Sequence, residues 1–210
     1  MMLLPLLLSC TPEIPDDLPK YTLAFAGDAL LGRRLNEAIH DDAARPEILG
    51  GVSAVLRQAD LTVVNAEGVI ALGGDFNDKG EPRPHMYRAH PLALDVLAEA
   101  GVDVLTVGNN HSNDYGPQAL TEMLDRIRIA GMDYAGGGHD LLDAKTPAYV
   151  TVGETVVAIV GADLTATRHY NARKDLPGTL LVNAMNPRLT DRIVEVLSSI
   201  LEDAREHAHL

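Results

Sequence analysis

Tryptophan is absent from the 210 residues and phenylalanine occurs only twice. The chain therefore has no aromatic platform for stacking bases or sugars, which argues against a carbohydrate cleft or a single-strand-binding surface. Cysteine occurs once, as Cys10, so neither an internal disulfide nor a thiolate metal site can form. Basic side chains are few: 17 Lys and Arg stand against 30 Asp and Glu, a net charge of −13. That balance disfavours general affinity for nucleic acid or anionic lipid. Long apolar runs are missing too, because the greasy stretch at residues 1–9 is too short to span a bilayer.

With 46% hydrophobic residues, the chain can bury one substantial core, and a single domain over residues 21–210 is expected. Residues 1–20 read as a signal remnant and tether. The run ends in Leu7, Leu8, Ser9 and Cys10, which resembles the end of a bacterial lipoprotein signal, although no positively charged segment precedes it. Cys10 as a lipid anchor would put the protein, exported, at the cell envelope on the outer face of a bacterial membrane. The Pro- and Asp-containing residues 11–19 would be its tether.

Chemistry is concentrated after one apolar run. Val102, Val104, Leu105 and Thr106 read as a strand, and Pro117 opens a helix. Between them lie Asn109, Asn110, His111, Asn113 and Asp114. Open α/β sheets place ligands at such carboxyl ends of strands. The pattern recurs elsewhere. Residues 21–26 form a strand ending at Gly27 and Asp28, with Leu30, Leu31, Gly32 and Arg33 leading into a helix through about Asp41. After a short helix over 50–59, residues 60–64 form a second strand that delivers Asn65, Ala66 and Glu67. Residues 73–84, rich in Gly and Pro, form a loop near that strand end, where His85 could also reach the site.

The helix opened by Pro91 carries an apolar side of Leu94, Leu97 and Ala98. The helix opened by Pro117 carries Leu120, Met123, Leu124 and Ile127, and Gly101 and Gly131 close the two. Residues 148–152 and 155–160 flank Gly153 and Glu154 as a hairpin, whose antiparallel strands are expected to join the sheet. The second of these strands leads to Asp163, a further strand-end acid. A last helix starts at Pro187, with Leu189, Ile193, Val196, Leu197, Ile200 and Leu201 buried. Such a helix normally feeds another strand, so a chain truncated at its C-terminus is expected. The fold class is thus α/β, with mixed sheets flanked by helices.

Asp28, Glu67, Asn110 and His111 come from three strand ends and should approach one crevice. Carboxylate, carboxamide and imidazole suit a divalent ion of the Mn, Fe or Zn type. Two such ions, about 3.5–4 Å apart and bridged by a carboxylate such as Glu67, would serve phosphoester hydrolysis. Arg33 would bind a substrate anion and His111 would protonate a leaving oxygen. Plainer readings exist for each residue. Asp28 could cap the following helix, Asn65 and Glu67 could be turn residues, the paired Asn could hold a left-handed turn, and Arg33 could be a solvated helix charge. Asp114 could orient His111 or cap the helix at Pro117. His40, His90, His139 and His169 read as ordinary surface or core histidines, and His207 and His209 as complements to a helix C-terminus.

In order along the chain stand Gly27-Asp28 with Gly32-Arg33, then Asn65-Ala66-Glu67, then Gly108 to His111 with Asp114-Tyr115-Gly116, then Gly136 to Gly138 with Ala144 and Pro147. Together these motifs resemble the CapA capsule-synthesis family, also called the poly-gamma-glutamate biosynthesis family, which is related to the calcineurin-like metallophosphatases. The resemblance implies an α/β/β/α sandwich. It also implies metal ligands at Asp28, Glu67 and Asn110, with Asn65 in the same motif, and a catalytic histidine at His111. The expected partners are a phosphoester or anionic polymer substrate and a capsule-synthesis membrane complex, with the membrane reached only through the lipid anchor. Two departures stand out: Ala66 replaces the family's usual Leu, and the family's closing His-Trp-Gly motif has no counterpart.

Overall fold

The computed structural model describes residues 20–77, 85–165, 170–182 and 190–209, without the side chains of 190–193. The leader with Cys10, loop residues 78–84, His169, Pro187, Leu189 and the Ile193 side chain lie outside the described residues. Among the described residues, no helix is long and apolar enough to cross a membrane.

Four strands make a parallel sheet in the order β1-β2-β5-β6: β1 (Leu23–Asp28), β2 (Leu61–Asn65), β5 (Val104–Thr106) and β6 (Asp133–Ala135). Helices α1 (Leu35–His40), α2 (Gly50–Leu56), α3 (Leu92–Glu99) and α4 (Gly116–Ile129) form the connections. All strand carboxyl ends therefore open on one rim. Alternate residues of β2 and β5 serve two cores, as the pleat requires. Val64 and Leu105 face α1, α3 and α4, where the expected stripe of Leu120, Met123, Leu124 and Ile127 is fully buried. On α3, Val96 is buried beside Leu94 and Leu97, whereas Ala98 faces solvent.

The opposite face carries Leu61, Val63, Val104 and Ala135, which pack against β8 (Ala148–Val152) and β9 (Thr155–Ile159). These two strands pair antiparallel across five registered positions. They do not join the parallel sheet as expected; they form a separate two-stranded sheet lying face to face with it. The reason is amphipathicity: Ala148, Val152, Val157 and Ile159 are buried, and laying that side over the parallel sheet removes more apolar surface than edge pairing would.

Helix α6 (Thr190–His207) packs Val196, Leu197 and Ile200 against α5 (Leu141–Lys145) and residues 180–182. Leu201, expected on the buried side, is instead 48% exposed. His207 Nδ1 lies 2.9 Å from the Asp203 carbonyl in the helix's last turn. The layers run helices, parallel sheet, hairpin, helix: an α/β sandwich.

Gly136 lets the second layer approach. It sits at φ +88°, and a Cβ there would stand 2.7 Å from the Gly161 carbonyl carbon, so a side chain meets both backbone strain and a clash. Gly136→Ala is expected to destabilise the domain by about 2 kcal/mol or more, read as a drop in urea midpoint.

His139 pins α5 to α4, through Nδ1 to Asp143 Oδ2 at 2.8 Å and Nε2 to Asp125 Oδ1 at 3.0 Å. Asp143 Oδ2 also accepts from the Tyr134 hydroxyl at 2.9 Å. Burial and this carboxylate push the Tyr134 phenol up to about 12. Burial disfavours the His139 imidazolium, but the hydrogen bonds and charges of Asp143 and Asp125 outweigh it and raise the pKa above the ordinary 6.5. The stabilisation is complete below that unfolded value and is lost as pH rises through the folded one. Thermal melts should show His139→Gln lagging wild type more at pH 6 than at pH 9; an equal gap at both would refute the assignment.

Candidate functional site

Strand β1 aims its carboxylate by means of an irregularity. Phe25 pairs with Val63, but Asp28, three residues on, pairs with Asn65, only two residues on. The extra residue in β1 reverses the pleat and turns Asp28 to the side of Asn65. Asn65 Nδ2 then donates to Asp28 Oδ1 at 2.8 Å and to Glu67 Oε2 at 3.1 Å. The other end of the same carboxamide, Oδ1, accepts from Thr106 Oγ1 at 3.2 Å and Asn109 Nδ2 at 3.1 Å. One side chain thus ties together the ends of β1, β2 and β5.

Asn109 gives the loop its shape. Its Nδ2 also reaches the Ala66 carbonyl at 2.8 Å, and its Oδ1 accepts the His111 backbone N–H at 3.0 Å. These bonds bring His111 over the site, where Nδ1 lies 2.9 Å from Asp114 Oδ2 and Nε2 lies 3.7 Å from Glu67 Oε1. The charge of Asp114 favours a proton on Nδ1 and turns Nε2 inward. Asp114 is wholly buried. It does not cap α4, whose N-cap is Tyr115 with no side-chain cap bond. Nor does Asp28 cap α1, whose N-cap is Arg34. Asn110 is half-buried on the same turn.

Burial pushes the Glu67 carboxyl above the usual carboxylate range; the charges of Asp28 and Asp114 add to this, against the lowering effects of His111 and Asn65. Among the described residues, no three His, Cys, Asp or Glu side chains stand in metal-ligating geometry. In this conformation the Asn65 amide fills the space between the two carboxylates. Arg33 lies in the lead-in before α1, which starts at Leu35, so it is not a charge on that helix. Arg33 instead takes a left-handed turn at φ 56°, the one non-glycine among the described residues to do so. Such strain costs about 1–3 kcal/mol and is typical of functional positions.

Tyr87 escaped sequence reasoning, and Asn109 was picked out there without its bracing role. Tyr87 arrives through β4 (Arg88–Ala89), parallel to β3 (Val69–Ile70), after a loop with no periodicity to flag it. Its backbone N–H donates to Asp114 Oδ2 at 3.0 Å, and its ring centroid lies 4.3 Å from that of His111. The signal for Asn109 was present in the doubled Asn before His111. His85 remains exposed, with its ring 6.1 Å from Tyr87. Asp163 is buried, and its Oδ1 accepts from Thr165 N at 2.8 Å.

A carboxylate, carboxamide and imidazole cluster at the carboxyl rim of a parallel sheet marks an α/β domain with its polar side chains gathered where such sheets place ligands. More particularly, residues 22–208 match the family model described as "Bacterial capsule synthesis protein PGA_cap", and the chain belongs to that family. A "Probable polyglutamine synthesis accessory protein" of Mycobacterium tuberculosis is 33% identical over 200 residues, covering 92% of this chain and 51% of that protein. The "Capsule biosynthesis protein CapA" of Bacillus anthracis is 28% identical over 192 residues, covering 91% and 45%. The "PGA biosynthesis protein CapA" of Bacillus subtilis is 24% identical over 188 residues, covering 89% and 46%. The chain spans about half the length of the curated relatives it matches.

Because the Glu67 pKa is raised on folding, ionising it costs stability as pH climbs from 4.5 through the folded value. In chelator, Glu67→Gln should therefore melt above wild type at pH 7, with the gap closing towards pH 4. A variant that melts lower at pH 7 would show that the carboxylate is not strained.

Proposed function

We propose that this domain is a metal-dependent phosphoesterase-like hydrolase that serves capsule or poly-gamma-glutamate synthesis at the cell envelope. One observation carries the reading: Asp28, Asn65, Glu67 and His111, from three separate strand ends, form a continuous run in which each lies within hydrogen-bonding or ion-pairing distance of the next. The donor chemistry fits Mn, Fe or Zn, since carboxylate and carboxamide oxygens are what such ions accept. Asp28, Glu67 and Asn110, with Asn65 turned to offer its oxygen, would hold one ion or two. A bound ion would supply hydroxide at neutral pH and polarise the phosphoester oxygen.

The chain's own residues supply the rest. The buried Asp114 carboxylate orients the His111 ring, so that Nε2 faces the site and can pass a proton to the leaving oxygen. Arg33, exposed at the rim, pairs with the substrate's anionic group. Cys10, lipidated after export, would tether the domain to the outer face of a membrane, beside a capsule-synthesis complex and its anionic polymer. The family membership and the names of the relatives support the pathway.

A second reading has its own observation. The Asn65 amide already satisfies Asp28 and Glu67 without a cation, as suits a non-catalytic scaffold for polymer export that keeps the fold and not the chemistry. Metal analysis and turnover separate the two. Wild type is expected to retain stoichiometric divalent metal after dialysis, with at least about tenfold loss of affinity in Asp28→Ala and Asn110→Ala. Phosphodiester turnover should fall about 100-fold or more in His111→Ala. A metal-free wild type, or turnover indifferent to His111, would reject the hydrolase.

A further inference from the structure

We propose that Tyr87 is a positioning residue that sets Arg33 and His111 to act on a single oxyanion; the inference rests on the hydrolase reading and adds a device to it. Tyr87 is held from several directions. Its carbonyl accepts from Val69 N at 3.0 Å and its N–H donates to Asp114 Oδ2 at 3.0 Å. That same carboxylate oxygen takes His111 Nδ1 at 2.9 Å, so the backbone of Tyr87 and the ring of His111 share one anchor. Gly68, directly after Glu67, sits at φ +111°, where a Cβ would stand 2.7 Å from the Tyr87 Cβ. The residue that follows the motif supplying Glu67 is thus the one that makes room for the tyrosine.

The ring is the working part. Its centroid lies 4.3 Å from that of His111, tilted by 55°, and the Arg33 guanidinium carbon stands over it at 5.8 Å. The electron-rich face of a phenol ring attracts both a guanidinium and an imidazolium. Among the described residues, the Tyr87 hydroxyl makes no hydrogen bond and Arg33 has no carboxylate within ion-pair distance. The guanidinium is therefore steered by the ring, and its charge is left for a ligand. A guanidinium already restricted on a ring loses less freedom when an anion arrives. The left-handed backbone of Arg33 is consistent with a side chain held for this purpose. The geometry joins a group that captures a phosphoryl anion to the group that hands it a proton, through one aromatic ring.

The test uses the full chain and inorganic phosphate, titrated calorimetrically with and without Mn2+, on wild type, Tyr87→Phe, Tyr87→Leu, Arg33→Ala and the Arg33→Ala/Tyr87→Leu double variant. Tyr87→Leu should weaken phosphate binding about two- to fivefold, the range expected for an exposed cation–ring contact. Tyr87→Phe should stay within about 1.5-fold of wild type, because the hydroxyl is unused. On the Arg33→Ala background, the leucine change should add almost nothing, since it acts through the arginine. In phosphodiester turnover, Tyr87→Leu should lower kcat and raise KM, while Arg33→Ala raises KM alone. Melting curves alongside show whether a loss is merely unfolding, and rescue by phenylalanine excludes a generic packing defect. Equal phosphate affinity in Tyr87→Leu, equal loss in Tyr87→Phe, full additivity in the double variant, or a wild type that does not bind phosphate would each overturn the proposal. The hydrolase reading fails separately, if wild type binds no divalent ion; the phosphate titrations without Mn2+ then still decide the role of Tyr87.

Discussion

Asp28 and Glu67 are two carboxylates held within reach of a single nitrogen, an arrangement that their mutual repulsion and the partial burial of Glu67 oppose. The Asn65 carboxamide makes it tenable. Its amino end gives one N–H to each acid, and its carbonyl end collects donors from Thr106 and Asn109. A neutral group with two donors and two acceptor sites suits this place, because it bridges like charges without adding another. The rest of the rim depends on it: Asn109 is oriented by Asn65, the His111 backbone is placed by Asn109, and the Asp114 carboxylate aligns the imidazole. Burial above all, with the charges of Asp28 and Asp114 adding to it, keeps the Glu67 pKa raised despite His111 and the Asn65 amide.

Such a centre needs a frame in which three strand ends come to one side. Parallel β1, β2 and β5 provide it, and burial of both faces of the sheet makes it rigid. One face is covered by α1, α3 and α4, the other by the hairpin of β8 and β9. Coverage is incomplete at the edge, where Phe25 of β1 is 67% exposed. The loops carry the function. Strain collects at Arg33, the backbone approaches closely at Gly68, and polar side chains bond to one another where a regular strand would pair its backbone.

Periodicity made much of this fold legible. The stripe of α4 is buried as read, because a helix with one apolar face has one way to lie on a sheet. The helices closed by Gly101 and Gly131 hand over to strands where expected, since glycine alone adopts the left-handed cap at little cost. Elsewhere local signals stopped short. Residues 30–33 lead into a helix as read, but the left-handed turn at Arg33 before its start at Leu35 left no local mark. The hairpin was recognisable as a hairpin, but alternation within two strands does not say whether they extend a sheet at its edge or lie upon its face.

Asp28, Asn65, Glu67, Asn110 and His111 could be picked out from residue type and place alone, as polar side chains following short apolar runs, and their ordered spacing already pointed to the capsule-synthesis family. That is what the sequence by itself determined: an α/β frame of sheet and flanking helices, and the acids, amides and imidazole that it presents. Only the tertiary structure decided how those groups meet. The irregularity that turns Asp28 to face Asn65, the sharing of Asp114 between His111 and Tyr87, and the seat of Arg33 over an aromatic ring join residues up to tens of positions apart. No short-range pattern encodes such contacts, because they arise from strand register and from the packing of loops whose own sequences carry no period.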